Sequence, residues 1–159
     1  MLELCRGLGG ISELAFKRGL SSGGNLDKRS YVDLGDRRVQ GAVLHFLDKC
    51  FVKVVILQPN CRSTGLPSYF NAQVNYDTWH AHHKEDLPHI KFCGEVAVRH
   101  DDLQRFYLRE QPKGTWVDEI QPWAKLAKRK ETCKATIDQC STGLRDSHGT
   151  LTRKPTEMM

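Results

Sequence analysis

Cys61 is the residue whose type and position most invite chemistry. It follows Val54-Val55-Ile56-Leu57-Gln58-Pro59-Asn60. Four consecutive β-rich apolar residues read as a strand buried on both faces, as in a parallel sheet. Pro59 ends the run because it has no N–H to offer a ladder. A thiol just past the carboxyl end of a central strand lies where open α/β sheets place their ligands. As a thiolate it is a nucleophile. Two other strand ends carry reactive or permissive residues. The strand predicted over 105–110 closes on Glu110, then Gln111-Pro112-Lys113-Gly114, an acid followed by a breaker. Near the N-terminus, Leu2-Glu3-Leu4-Cys5 leads into Arg6-Gly7-Leu8-Gly9-Gly10 and a helix. That order, strand, glycine-rich turn, helix, lets backbone N–H groups approach a ligand. Asp27 ends a short second strand over 21–27, where an acid can hold ribose hydroxyls.

The elements that must position these residues follow from periodicity. The first helix turns Ile11, Leu14 and Ala15 to one face, with Ser12 as cap and Gly19 at its end. Asp33-Leu34-Gly35-Asp36 forms a loop whose last residue caps a second helix. There Val39, Ala42, Val43, Phe46, Leu47 and Cys50 share a face, which predicts Cys50 in the core. A helical stretch follows with Phe70, Val74 and Trp79, and Pro88 is expected to break it. A separate helix is then predicted over 89–101, burying Ile90, Cys93 and Ala97. Residues 116–130 read as a helix bent at Pro122, with Trp123 and Leu126 inward. A strand is expected at 132–138, a turn at 140–144, and a polar C-terminal tail over 145–159 with a short strand at 149–153. The folded domain would span 1–144. Alternating strands and helices predict an α/β domain with a mostly parallel sheet, right-handed crossovers and helices on both faces.

Composition bounds the function. A chain of 159 residues suits one domain with a real core. Its net charge of +5 permits a phosphate-bearing partner without demanding one. The late excess, Lys125, Lys128, Arg129 and Lys130, reads first as a solvated face. No apolar run approaches membrane-spanning length, so no membrane partner is expected. The six cysteines contain no CxxC pair. The chain opens with Glu3 and Arg6 in place of a basic leader and apolar core. An intracellular, reducing setting with free thiols is expected, in nucleus or cytoplasm. His80, His82, His83 and His89 cluster locally, with Cys93 nearby. Metal sites need three or four convergent ligands, and no acid or thiolate accompanies the histidines at fixed spacing. The cluster reads as an exposed polar face, and no metal is expected.

Taken in order, these motifs resemble those of the class I S-adenosylmethionine-dependent methyltransferases. They are most similar to the cytosine-C5 DNA methyltransferase group and its divergent relatives in mobile-element polyproteins. Glu3-Leu4-Cys5-Arg6-Gly7-Leu8-Gly9-Gly10 resembles that family's opening D/E-L-F-x-G-x-G-G, with Cys5 in place of phenylalanine. Pro59-Asn60-Cys61-Arg62-Ser63-Thr64 resembles its P-P-C-x-x-x-S in keeping one proline and the cysteine, with Asn60 in place of the second proline. Glu110-Gln111-Pro112 is similar to its E-N-V or E-x-P. The Asp138-Gln139-Cys140 strand end and Arg153-Lys154-Pro155-Thr156 resemble the late part of the element-borne relatives.

The resemblance implies a Rossmann-like fold and S-adenosylmethionine as cofactor. Gly7, Gly9 and Gly10 would admit its methionine portion, Asp27 or Asp33 its ribose, and Gln58 would border it. Methylating C5 of a pyrimidine needs a nucleophile to add at C6, the role implied for Cys61. It also needs an acid near N3, the role implied for Glu110. DNA is the partner implied, with the target base flipped out of the duplex. The chain stops near where the family's target-recognition region would begin. A catalytic-core fragment, a degenerate copy and a domain cut from a longer polyprotein all remain open. So does a non-catalytic, Rossmann-like module that binds nucleic acid through 125–130.

Overall fold

The strand buried on both faces is the centre of the molecule. A computed structural model of the chain describes residues 1–5 and 10–159. Among these residues six strands form one sheet. They are β1 (Leu2–Leu4), β2 (Asn25–Leu26), β3 (Val54–Leu57), β4 (Phe106–Pro112), β5 (Ala135–Asp138) and β6 (Pro155–Met158). Their spatial order is β2-β1-β3-β4-β6-β5. The first four are mutually parallel, with Leu4 opposite Leu57 and Leu57 opposite Arg109. Val55, Ile56 and Leu57 are all buried. Successive side chains point to opposite faces, so the middle of the sheet is covered on both sides. The expected α/β fold with a mostly parallel sheet is what the chain adopts.

Among the described residues five helices connect the strands: α1 (Gly10–Lys17), α2 (Arg37–Lys49), α3 (Leu66–Val74), α4 (Tyr76–Asp102) and α5 (Trp123–Leu126). Asp36 caps α2 as expected, accepting from the backbone N–H groups of Arg38 and Val39. The buried stripe of α2 is narrower than its periodicity suggests. Val43 and Leu47 are buried, Phe46 is exposed, and Cys50, predicted in the core, is exposed. Cys50 lies past the last helical turn, where the chain swings away through Phe51 at φ 47°.

Several other elements differ from expectation. Pro88 does not break the chain into two helices: α4 runs unbroken for 27 residues. An interior proline costs about 3 kcal/mol. Ile90, Phe92, Cys93, Val96 and Ala97 are each at most 1% exposed. Burying each large member contributes roughly 1.5–3 kcal/mol, so packing outweighs the proline. The indole N–H of Trp123 also donates to the Ile90 carbonyl at 2.9 Å. The helix expected over 116–130 is reduced to a 3-10 turn, Val117–Glu119, and the four-residue α5. Pro122 offers no N–H, and the residue before a proline disfavours the helical region. The α1 N-terminus is held not by Ser12 but by the buried carboxylate of Glu3, which accepts from the N–H groups of Ile11 and Ser12. Ser12 instead donates to the Gly24 carbonyl.

Residues beyond 144 are not a polar tail. The strand expected at 149–153 is only a bridge between Arg145 and Leu151. Pro155–Met158 enters the sheet as β6, antiparallel to both β4 and β5. Met159 closes it, exchanging two backbone hydrogen bonds with Arg109. Arg109 is fully buried, paired with Asp118 and Glu157, and lies over the Trp123 ring. That network fastens β6 to the core from inside. No described helix is long and apolar enough to cross a membrane.

Candidate functional site

From β1 the chain passes to β2 on one side and later to β3 on the other. The carboxyl ends of strands at such a reversal frame a crevice. Here that crevice is a cavity of about 750 Å³, within the roughly 300–1,000 Å³ usual for ligand pockets. Each parallel strand end contributes to its wall: Cys5 from β1, Asp27 from β2, Gln58 and Cys61 from β3, Glu110 from β4. Gly10 and Asp33 line it too. Gly7 and Gly9 lie outside the described residues. The fold thus brings Cys61, Glu110, Gly10, Asp27, Asp33 and Gln58 to one cavity.

The loop carrying Cys61 is held from two sides. Asn60 donates to Asp86 of α4 at 3.0 Å, and Arg62 Nε donates to both Asp86 oxygens, at 3.1 and 2.9 Å. Arg62 also pairs with Glu85. Asp86 is only 4% exposed, so its charge is matched where it is desolvated. On the other side the loop after β4 braces it. Gln111 donates its side-chain amide to the Pro59 carbonyl, and the N–H of Trp116 donates to the Thr64 carbonyl. The Cys61 carbonyl accepts from the N–H groups of Thr64 and Gly65, closing a turn beneath the thiol. Burial pushes the Cys61 thiol up; Lys154 pulls the other way and Glu110 adds to the rise. The thiol therefore rests protonated at neutral pH. Glu110 faces Lys154 at 3.8 Å and accepts from Gln139 at 3.4 Å.

Both acids considered for a ribose are in the wall. Asp27 accepts from the Arg29 N–H, capping the 3-10 turn Lys28–Ser30. Asp33 accepts from the Gly35 N–H and has Lys28 at 3.8 Å. The Gln58 N–H donates to the Leu4 carbonyl, which fixes the start of the β3 loop against β1. Glu3 already engages the α1 amides of Ile11 and Ser12, so these two donors are satisfied from within the protein.

The histidines separate into two groups. His83 stacks between Trp79 and Trp116, with ring centroids 5.2 Å from each, and burial lowers its basicity. His89 faces the cavity instead, its Nε2 2.8 Å from Cys5 Sγ. Cys5 Sγ lies 3.6 Å from Cys93 Sγ. Local spacing leads to the expectation of no metal; the fold adds a grouping that spacing does not show. Cys5, His89 and Cys93 place one ligand atom each within 4.8 Å of one another. The two thiols titrate as a pair: a hydrogen bond from Cys5 favours the Cys93 thiolate, while burial and that neighbour hold Cys5 protonated. All six cysteines are free.

Sequence reasoning missed Asp86 and the Cys5–His89–Cys93 group. Asp86 gave no signal, because a helical acid reads as a solvated one. The triad gave a partial signal: His89 and Cys93, four apart, share a face of α4. In the basic run, Arg129 is committed to Asp101 and Asp102, leaving Lys125, Lys128 and Lys130 exposed. No protein-family model, no curated protein and no solved structure matches this chain.

Proposed function

We propose that this chain is a methyltransferase-type domain that binds S-adenosylmethionine and acts on a nucleobase in DNA, inside the cell, in the manner of divergent mobile-element enzymes. The observation that carries the reading is the single cavity at the strand-order reversal, where a thiol, a carboxyl group and two further acids meet. The donor set suits the cofactor. Asp27 and Asp33 offer acceptors for a diol, Gln58 offers an amide, and a side chain at Gly10 would meet nothing within 4 Å, leaving room beside the backbone. When bound, the cofactor supplies an electrophilic methyl group. Cys61 as thiolate adds to the base at C6, opening the C5–C6 double bond and raising electron density at C5. Once C5 carries the methyl group, loss of its proton to solvent expels the thiolate and restores the double bond. Glu110 holds a proton at N3, offsetting the charge that develops on the ring. Because burial keeps the Cys61 thiol protonated, its proton has to pass to a base before attack. Glu110, a carboxylate that acts on the thiol, takes it and then presents it to N3. The test is transfer of a labelled methyl group from the cofactor to DNA. Label incorporation abolished by Cys61→Ser supports the mechanism. Incorporation unchanged in that variant removes it.

One observation favours a second reading, a non-catalytic module. The resting Cys61 thiol is raised rather than activated, the opposite of what a nucleophile needs. In that case Lys125, Lys128 and Lys130 would contact nucleic-acid phosphates. DNA binding that weakens steeply with salt, without methyl transfer, would favour this module. Salt-indifferent binding would count against it.

A further inference from the structure

We propose that Cys5, His89 and Cys93 form a zinc-binding site in the floor of the cavity. The three residues come from two places in the chain, Cys5 just past β1 and His89 and Cys93 on α4. Cys5 sits just past β1 at φ 67°, a left-handed conformation rare for a residue with a side chain. That turn sets its thiol against α4, where His89 and Cys93 stand one helical turn apart. Two thiols and an imidazole are the donor set zinc favours.

The spacing suits the ion. Zinc–sulfur bonds of about 2.3 Å and zinc–nitrogen bonds of about 2.0 Å at tetrahedral angles put ligand atoms roughly 3.5–3.8 Å apart. The two sulfurs are 3.6 Å apart. The His89 nitrogen, 2.8 Å from Cys5 Sγ, needs to withdraw by less than about 1 Å, a small side-chain rotation. Cys93 is fully buried, while Cys5 and His89 also line the cavity. The fourth coordination position therefore opens on the cavity side, the arrangement of a three-ligand site that takes water or a ligand atom as its fourth partner. At 3.6 Å the two sulfurs are not bonded, and closing a disulfide between them would require an oxidant. Zinc binding would tie β1 to α4 and link ion occupancy to the stability of the cavity floor.

This site does not depend on the methyltransferase reading, and the test needs no cofactor. The full chain is reduced, stripped of metal and titrated with cobalt(II) alone, then with zinc. The expected result is one equivalent of cobalt, a thiolate-to-cobalt charge-transfer band, the intense d–d bands of a tetrahedral site, and their loss as zinc displaces cobalt. Cys5→Ala and His89→Gln, at half-buried positions, should each weaken binding by more than about 100-fold, since even outer-shell changes cost roughly 10–100-fold. Cys93→Ser should do the same. Cys61→Ser should leave the bands intact. Absence of the thiolate band in the reduced wild-type chain overturns the proposal. So does a band that survives Cys5→Ala and His89→Gln in variants whose circular dichroism matches wild type, or one that vanishes in Cys61→Ser. Titration of the same sample with S-adenosylmethionine separates the two readings, because either can fail alone.

Discussion

Replacing Asp86 by alanine should loosen the loop that aims Cys61. Asp86 is 4% exposed and accepts from Asn60 and twice from Arg62. A hydrogen bond to a buried charge contributes about 1.5–3 kcal/mol, which sets the Asn60 contact. The Arg62 side chain is 38% exposed and keeps Glu85 as a partner, so its pair with Asp86 is screened and counts for roughly 0.5–1 kcal/mol. Together these give about 2–4 kcal/mol. At roughly 2–4 °C per kcal/mol for a chain of this size, the melting temperature should fall by about 4–16 °C. Part of that loss is local, so Cys61 should also alkylate faster than in wild type, read by peptide mass spectrometry under native conditions. Asp86→Ala and Asn60→Ala should couple by more than about 0.5 kcal/mol in a double-mutant cycle. A melting temperature within about 1 °C of wild type, with unchanged Cys61 alkylation, would refute the anchoring argument.

Arg109→Ala should cost about 3–5 kcal/mol in denaturant unfolding, because it removes the buried partner of Asp118 and Glu157, leaving them Lys134 alone, and opens a cavity. Arg109→Met, which fills the cavity without restoring the charge, should recover only the packing part of that loss. Gly94→Ala should destabilise by about 1–3 kcal/mol, since its Cβ would fall 2.9 Å from the Pro122 ring; a neutral melt would mean that α4 can shift. Alkylation of Cys61 should keep accelerating above the pH at which a free model thiol levels off, because burial raises its pKa; a plateau at or below that pH contradicts the burial argument. Burial works against the Asp118 carboxylate, but the Arg109 and Lys134 pairings outweigh it and hold the folded pKa below 3.8. Its contribution to stability is thus complete above the ordinary carboxylate range and is lost as pH falls through that lowered value. Asp118→Asn should flatten the acid limb of a stability–pH curve.

What was legible in the sequence was whatever local pattern decides. Val54–Leu57 is apolar on both faces, and Asp36 heads a periodic run, so β3 and α2 were readable. The ends of β3 and β4 that meet at the cavity were readable too, because Pro59 and Pro112 stop those runs. Long-range contacts decided the rest. Pro88 looks like a breaker until the burial of Ile90 through Ala97 is counted against it. The last strand is short and polar, and only its place between β4 and β5, with Glu157 reaching the buried Arg109, makes it part of the sheet. Cys50 matched the apolar stripe of α2 but fell one residue past the helix end. Cys5 and Cys93 are 88 positions apart, a separation no local spacing can bridge.

The central claim is that this cavity is a cofactor site. Isothermal titration of the wild-type chain with S-adenosylmethionine tests it most directly, alongside an Asp27→Ala, Asp33→Ala double variant. The account predicts saturable binding at one equivalent, weakened in the variant by at least about tenfold, the equivalent of roughly 1.4 kcal/mol. No heat of binding at millimolar cofactor, or equal affinity in the two proteins, would contradict it.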